Sequence, residues 1–174
     1  NNAERSCVMG GERAYVTSFL GALGRVAWET GFGWQCPVEA GGLAEPILRG
    51  VYDDLPRMFD AKAMTALADK SVGIAYLDGW VAGDEPYANC RVRAVGTRQL
   101  HITAGNVPVV AALTIVRGAL TKSDVLIKAP SNDPLTANAI ARSLIDVDAS
   151  HPVTKHVAVA YWKGGDEEMD KQIV

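Results

Sequence analysis

The sequence predicts an α/β protein in which a three-layer unit with a parallel sheet follows a mostly helical N-terminal portion. The first observation is that short β-prone segments alternate with longer helical segments from residue 98 onwards. The second is that the strand cores VLI (125–127) and VAVA (157–160) are continuously apolar, as in strands covered on both faces. The third is that short turns join these segments, which favours parallel strands with right-handed crossovers.

The N-terminal portion, residues 1–97, is predicted to be mostly helical. Apolar periodicity predicts helices at residues 11–31, 43–58 and 61–69. A glycine-rich stretch separates the first two helices, and Pro46 can lie in the first turn of the second. Residues 71–94 contain glycines, Pro86 and short β-prone stretches, which indicates loops with an irregular strand or two.

Residues 98–174 are predicted to form a β-α-β-α-β-α unit. The strands are expected at 99–104, 125–128 and 157–161, and the helices at 107–121, 134–146 and 166–174. The helix at 107–121 is apolar on nearly all sides, as expected for a helix buried against a sheet. The last helix reaches Val174 without a cap or stop signal, so we expect a truncated unit.

Composition argues against several classes of protein. A net charge of −3 and the lack of a basic stripe give no attraction to nucleic acid. The longest apolar run, 107–116, is too short to cross a bilayer, and charged residues near the N-terminus disagree with an export signal. Three widely spaced cysteines without a CxxC motif suggest neither zinc nor disulfides. We therefore expect a cytoplasmic protein without a metal site.

Ligands of open parallel sheets bind beyond the carboxyl ends of the strands, which selects three turns. The first turn is AGNVP at residues 104–108. Gly105 permits a close backbone approach, and Asn106 is a good cap for a helix that begins at Val107. An asparagine amide beside a helix N-terminus can also stabilise a developing oxyanion. The local sequence leaves both interpretations of Asn106 open.

The second turn is KAPSNDP at residues 128–134, and Lys128 closes an apolar strand there. A lysine above a binding crevice suits a phosphate or a ribose hydroxyl, and Ser131 follows three residues later. The alternative is a solvent-facing lysine that extends along the surface. Asp133 and Pro134 are expected to begin the next helix as its N-cap and first residue.

The third turn is KGGDEE at residues 163–168. Gly164 and Gly165 could admit the backbone or a ring of a cofactor. The acidic residues complement the dipole of the following helix but would repel a pyrophosphate. No GxGxxG motif follows any strand, so the usual glycine-rich dinucleotide fingerprint is missing.

Other chemically interesting side chains have no partner at a suggestive spacing. His101 is placed in a strand, His151 and His156 flank a predicted loop, and all three are expected to be structural. The cysteines lack a setting that would stabilise a thiolate, and the tryptophans are expected to serve packing. These residues are Cys7, Cys36, Cys90, Trp28, Trp34, Trp80 and Trp162.

The three turns together are more specific than any one of them. The run HITAGNVPVVAALTIVRGALTKSDVLIKAPSNDPLTANAIA resembles the cofactor-binding stretch of aldehyde dehydrogenases, which has an Asn-x-Pro turn, an apolar helix and a lysine followed by Pro-Leu. The GNVP turn and HPVTKHVAVAYWKGGD are most similar to the LuxC-type long-chain acyl-CoA (fatty-acyl) reductases of that superfamily. The resemblance covers about residues 93–174 and implies a partial Rossmann-like sheet of the aldehyde dehydrogenase type.

The resemblance implies roles for particular residues. Asn106 matches the asparagine that hydrogen-bonds the substrate carbonyl oxygen, and Lys128 matches the lysine that binds the adenosine ribose. Ser131 falls where NAD-preferring relatives often have a glutamate, which favours NADPH because a serine does not repel a 2′-phosphate. Gly165 matches the glycine that lets the adenine lie against the next helix. The remaining residues implied in cofactor binding are Ile102, Thr103, Ala104, Gly105 and Pro130.

The implied reaction is the NADPH-dependent reduction of an acyl-CoA to an aldehyde through an acyl-cysteine, as part of fatty acid metabolism. The nucleophilic cysteine would come from a second domain, so we expect this chain alone to be inactive. Members of the family commonly self-associate, which makes a homo-oligomer an expected partner state. Two alternatives stay open: a fragment of an aldehyde dehydrogenase that oxidises its substrate, and a non-catalytic α/β module for assembly.

Overall fold

Short helices form the N-terminal part of the described region, and a proline interrupts the first of them. The structure is a computed structural model that describes residues 44–173. The helix predicted at 11–31, the glycine-rich stretch after it and Leu43 lie outside the described residues. The elements before the sheet are α1 (Glu45–Asp54), a 3-10 helix (Leu55–Phe59), α2 (Ala61–Ser71) and α3 (Ile74–Asp78).

The helix predicted at 43–58 is interrupted, and this part of the prediction is wrong. Pro46 lies in the first turn of α1 as expected, but a 3-10 helix replaces the α-helix from Leu55. Pro56 explains the change, because it has no N–H for the α-helical ladder and its ring crowds the preceding turn. Asp60 then caps α2, since its carboxylate accepts from the Ala63 N–H at 2.7 Å.

A small antiparallel pair follows α3. The strands β1 (Val81–Ala82) and β2 (Arg91–Val92) pair with Val81 opposite Val92. This pair confirms the prediction of irregular strands within residues 71–94. Trp80, just before β1, is 57% exposed, so the expectation that it serves packing is wrong.

Three parallel strands form the main sheet of the described region. They are β3 (Arg98–Ile102), β4 (Asp124–Lys128) and β5 (Val157–Ala160), in the order β3-β4-β5. The helices are α4 (Val109–Leu120) after β3, α5 (Thr136–Asp148) after β4, α6 (Pro152–Lys155) and α7 (Glu167–Ile173). The predicted alternation of strands and helices is confirmed. The four-residue α6 was not predicted.

One face of the sheet packs on α4 and α5. The register aligns Val125 with Val157 and Ile127 with Val159, and the two β4 residues are fully buried. Eight of the twelve residues of α4 are buried, which confirms that this helix is apolar because it lies in the core. Strands in sequential order with right-handed crossovers place both connecting helices on the same face.

The opposite face of the sheet carries the alternate residues. Leu100, Leu126 and Ala158 lie side by side; the two leucines are half-buried and Ala158 is exposed. Ile173 of α7 lines a cleft of about 620 Å³ over this face, together with Leu100 and Leu126. The fold is therefore the predicted α/β class, with a parallel sheet and substantial helical content.

Within residues 44–173, a hydrophobic cluster joins the N-terminal helices to the sheet. It includes Leu48 of α1, Phe59 of the 3-10 helix, Met64 of α2 and Ile115 of α4. The division of the chain at residues 97 and 98 stays a prediction. Within residues 44–173, no helix has the length and apolar character needed to cross a membrane.

Candidate functional site

The three predicted turns emerge at one edge of the sheet. Ile102, Lys128 and Ala160 are aligned neighbours at the ends of the three strands. Because the strands are parallel, the turns 103–108, 129–135 and 161–166 leave the sheet side by side. This is the carboxyl edge, where open α/β sheets bind their ligands.

Hydrogen bonds and close packing connect the first turn to the second. Thr103 is buried, and both its backbone N–H and its hydroxyl donate to the Lys128 carbonyl oxygen, at 3.3 and 3.0 Å. A Cβ atom at Gly105 would overlap the side chain of Asn132, so a glycine is required for this approach. Ile102 is 69% exposed, and Ala104 is also exposed at the same edge.

Asn106 does not cap the following helix, contrary to one prediction. The α4 helix begins at Val109, and no side chain caps it. The chain instead winds into α4 through short-range bonds from Val110 N to Val107 O and from Ala111 N to Pro108 O. These bonds satisfy the first turn without the asparagine. Asn106 is exposed, and its amide has no hydrogen-bond partner within the described part of the chain.

Lys128 is largely buried, so its side chain does not extend along the surface. Its side chain is 9% exposed, and its Nζ lies 5.4 Å from the centroid of the Trp162 ring. No carboxylate in the described region lies within ion-pair distance of this ammonium. The stem of this lysine is therefore covered by the protein while its ammonium lies at the open edge, where a ligand with acceptor oxygens could accept its N–H donors.

The second turn is held by a buried polar network. Asp133 accepts hydrogen bonds from the Thr136 hydroxyl at 2.6 Å and from the Thr136 N–H at 3.2 Å. Because the Thr136 proton goes to Asp133, the Tyr52 hydroxyl donates to Thr136 Oγ1 at 2.7 Å. Burial raises the pKa of Tyr52 to about 12, against a smaller lowering by the Thr136 bond. The carboxylate of Asp133 therefore points into the protein rather than towards a ligand.

The start of α5 differs from the prediction. The helix begins at Thr136, so Asp133 and Pro134 are neither its N-cap nor its first residue. The first α-helical bond runs from Ala139 N to Leu135 O. Asp133 still binds the amide three residues ahead, in the manner of a cap. Before it, Ser131 is exposed and Pro130 is half-buried.

The third turn is open around its glycines. Gly165 has a φ of +82°, and a Cβ at Gly164 or Gly165 would meet no atom within 4 Å. Gly165 is therefore required by its backbone conformation and leaves space for a flat ring. Asp166 accepts from the Met169 N–H at 3.1 Å and so caps α7. Because α7 begins with several acidic residues, its N-terminus is unfavourable for a pyrophosphate.

Two side-chain contacts near the ends of the sheet were not predicted from the sequence. Trp162 is buried, and its Nε1–H donates to Asp170 Oδ1 at 2.7 Å. At the opposite edge of the sheet, His156 Nδ1 pairs closely with Asp124, which contradicts the expectation that His156 has no acid–base neighbour. The partners in this pair are 32 residues apart, so local spacing could not reveal it.

The prediction of a loop between His151 and His156 is also wrong, because this segment contains α6. His151 is buried, and its Nδ1 accepts from the Val153 N–H at 3.2 Å. Burial lowers the pKa of His151, with a smaller opposing effect of the Asp148 charge. Burial also lowers the pKa of His101, which lies in β3 as predicted.

The donor set at the carboxyl edge fits a dinucleotide. It offers the ammonium of the largely buried Lys128, an exposed amide at Asn106 and an exposed hydroxyl at Ser131. Ile102 and the open backbone at Gly165 can contact flat rings. Among residues 44–173, no group of three or more histidine, cysteine or acidic side chains could hold a metal ion.

The architecture and this edge define an α/β protein with a partial Rossmann-like sheet. The model of the family described as acyl-CoA reductase (LuxC) matches residues 39–174. The chain belongs to this acyl-CoA reductase (LuxC) family. The resemblance stated from the sequence is thereby confirmed.

Curated relatives carry a related description. The chain is 41% identical over 99 residues to a long-chain acyl-protein thioester reductase of Photorhabdus laumondii subsp. laumondii, covering 56% of this chain and 20% of the relative. For the protein of the same description from Aliivibrio fischeri, the identity is 43% over 96 residues, with 55% and 19% covered. For that of Vibrio harveyi, it is 37% over 102 residues, with 58% and 20% covered. The matched part spans about a fifth of the length of these relatives.

Proposed function

We propose that this chain supplies the nucleotide-binding part of a reductase that uses NADPH to convert a long-chain acyl thioester to an aldehyde. The observation that carries the proposal is Lys128, a largely buried lysine whose ammonium forms no ion pair within the described residues, at the edge where three loops converge. The description of the relatives as long-chain acyl-protein thioester reductases supports the substrate class. Acyl-CoA, the substrate in the family description, contains the same thioester group.

Lys128 would donate to the ribose hydroxyls on the adenosine side of the coenzyme. A buried ammonium binds hydroxyl or phosphate oxygens more strongly than one in water, because its charge is less screened. Gly165 would let the adenine approach the turn before α7, since no side chain fills that space. The nicotinamide side of the cofactor channel would be lined by Ile102, Thr103, Ala104 and Gly105, and Pro130 would contact the coenzyme from the second turn.

The preference for NADPH follows from the charge of the second turn. Ser131 is exposed and neutral, and the carboxylate of Asp133 is engaged with Thr136. A 2′-phosphate would therefore meet no negative side chain on this turn, whereas a glutamate at position 131 would repel it. This argument supports NADP over NAD.

Asn106 would act on the substrate. Its exposed amide has no other hydrogen-bond partner in the described region, so it is available to donate to the thioester carbonyl oxygen. Negative charge develops on this oxygen during attack, and an oriented N–H donor stabilises it. The bound coenzyme supplies the hydride. We propose that another part of the protein supplies the cysteine that carries the acyl group, so that residues 1–174 alone do not complete the reaction.

Calorimetric titration of NADPH and NADH into the full-length protein tests this proposal. We expect saturable binding with NADPH preferred, and a K128M variant should bind about tenfold or more weakly because it loses a charged donor. The S131E variant should reverse the preference towards NADH. A K62M variant, which changes an exposed lysine of α2, is the matched control and should bind normally. Absence of saturable binding of either coenzyme would refute the proposal.

A comparison of two reactions tests the direction. The full-length protein should reduce a long-chain acyl thioester faster than it oxidises the corresponding aldehyde. A purely oxidative enzyme would instead support the aldehyde dehydrogenase alternative. A protein that binds the coenzyme but catalyses neither reaction would support the alternative of a non-catalytic module.

A further inference from the structure

Trp162 connects the proposed ribose lysine to the helix after the third strand. Its ring is 5% exposed and lies two residues beyond β5, with the Lys128 ammonium 5.4 Å from the ring centroid. Its Nε1–H donates to Asp170 Oδ1 on α7 at 2.7 Å. One side chain thus joins β4, the third turn and α7.

We propose that Trp162 is a positioning residue that holds Lys128 ready for the coenzyme, an inference that rests on the proposed function. A lysine has several rotatable bonds and loses much rotamer entropy when it is ordered. The negative face of an indole ring attracts the ammonium and limits it to one region. The side-chain entropy of Lys128 is then already lost in the free protein, so ordering this lysine does not weaken the binding of the coenzyme.

The same ring also holds the Asp170 carboxylate away from an ion pair with Lys128. The indole contacts a cation with its face and an anion with its N–H edge, as its charge distribution favours. Asp170 is engaged by this N–H and forms no ion pair with Lys128. The N–H donors of the ammonium consequently remain available for a ligand. A merely space-filling residue at this position would provide neither effect.

Three substitutions in the full-length protein separate these roles, with the Kd for NADPH measured by calorimetry. W162L removes the ring face and should raise Kd about tenfold, whereas W162F keeps a face and should raise it about threefold. D170A leaves the ring but removes its hydrogen-bond partner and should raise Kd about twofold to threefold. W80L makes the same change at an exposed tryptophan near β1 and should leave Kd unaltered.

Repeating the substitutions in a K128M background gives the decisive readout. If Trp162 acts through Lys128, neither W162L nor D170A weakens NADPH binding further once the ammonium is gone. Equal losses in both backgrounds would overturn the inference and indicate a general structural role. If W162L fails to fold, the comparison of W162F and D170A in the two backgrounds decides in the same way.

The outcome distinguishes this inference from the proposed function. Unmodified protein that binds neither NADPH nor NADH would refute the proposed function and, with it, the role of Trp162. Unmodified protein that binds NADPH, together with normal binding by the W162L, W162F and D170A variants, would refute only the role of Trp162. Weaker NADPH binding by the Trp162 and Asp170 variants that is absent in the K128M background supports both the proposed function and the role of Trp162.

Discussion

The buried network under the second turn gives a quantitative test of the structure. Thr136 is 1% exposed, donates to the Asp133 carboxylate at 2.6 Å and accepts from the Tyr52 hydroxyl at 2.7 Å. A T136V substitution keeps the shape of the side chain but removes both hydrogen bonds. A bond to a charged group contributes about 2 kcal/mol and a neutral one about 1 kcal/mol, so T136V should lower the free energy of unfolding by about 3 kcal/mol.

Two variants divide this loss into its parts. Y52F removes the Tyr52–Thr136 bond and leaves the Thr136–Asp133 bond in place, so it should cost about 1 kcal/mol or more. T136S keeps the hydroxyl and should cost about 1 kcal/mol for one methyl group. Urea unfolding curves of the variants give these differences from their midpoints and slopes. Adding Y52F to T136V should cost less than Y52F alone, because the Tyr52–Thr136 bond is already lost. A T136V variant as stable as T136S would refute the assignment of a buried, hydrogen-bonded carboxylate.

Three further predictions concern the rest of the described region. A G118A substitution should destabilise the protein by about 1–2 kcal/mol in urea unfolding, because the new Cβ overlaps the buried Val125 side chain. The cost of this overlap exceeds the gain in helix propensity from glycine to alanine. A stabilised variant would contradict this packing. Burial lowers the pKa of His151 below 6.5, so the unfolded chain binds protons more readily and stability should fall as the pH drops below that value. H151N keeps an acceptor for the Val153 N–H but does not titrate. Between neutral and mildly acidic pH, the urea midpoint of the unmodified protein should therefore fall more steeply than that of H151N. An equal dependence of the two midpoints on pH would refute the role of His151. G165A should cost about 1 kcal/mol because alanine disfavours positive φ, although no atom blocks its Cβ; a neutral effect in thermal unfolding would argue against this backbone conformation.

The sequence predicted the elements whose pattern depends on burial. The strands around Val125 and Val157 and the helix α4 were found because the core imposes continuous apolar runs on them. Helix boundaries were less accurate, since they depend on local hydrogen bonds. Pro56 ended the predicted second helix early, and α5 begins only at Thr136.

The location of the candidate site followed from topology, but its internal contacts did not. Parallel strands bring their carboxyl ends together, so the three turns could be assigned to one edge without coordinates. The contact of Lys128 with Trp162 joins residues far apart in the chain, and so does the pair of His156 and Asp124. Such pairs depend on register and side-chain direction, which a single sequence does not specify.

Hydrogen–deuterium exchange of the full-length protein, with and without NADPH, tests the central claim most directly. If the carboxyl edge of the sheet binds the coenzyme, NADPH should slow exchange in the three turns at 103–108, 129–135 and 161–166, and the K128M variant should lose this protection. Protection confined to other parts of the protein, with these turns unchanged at saturating NADPH, would contradict the account.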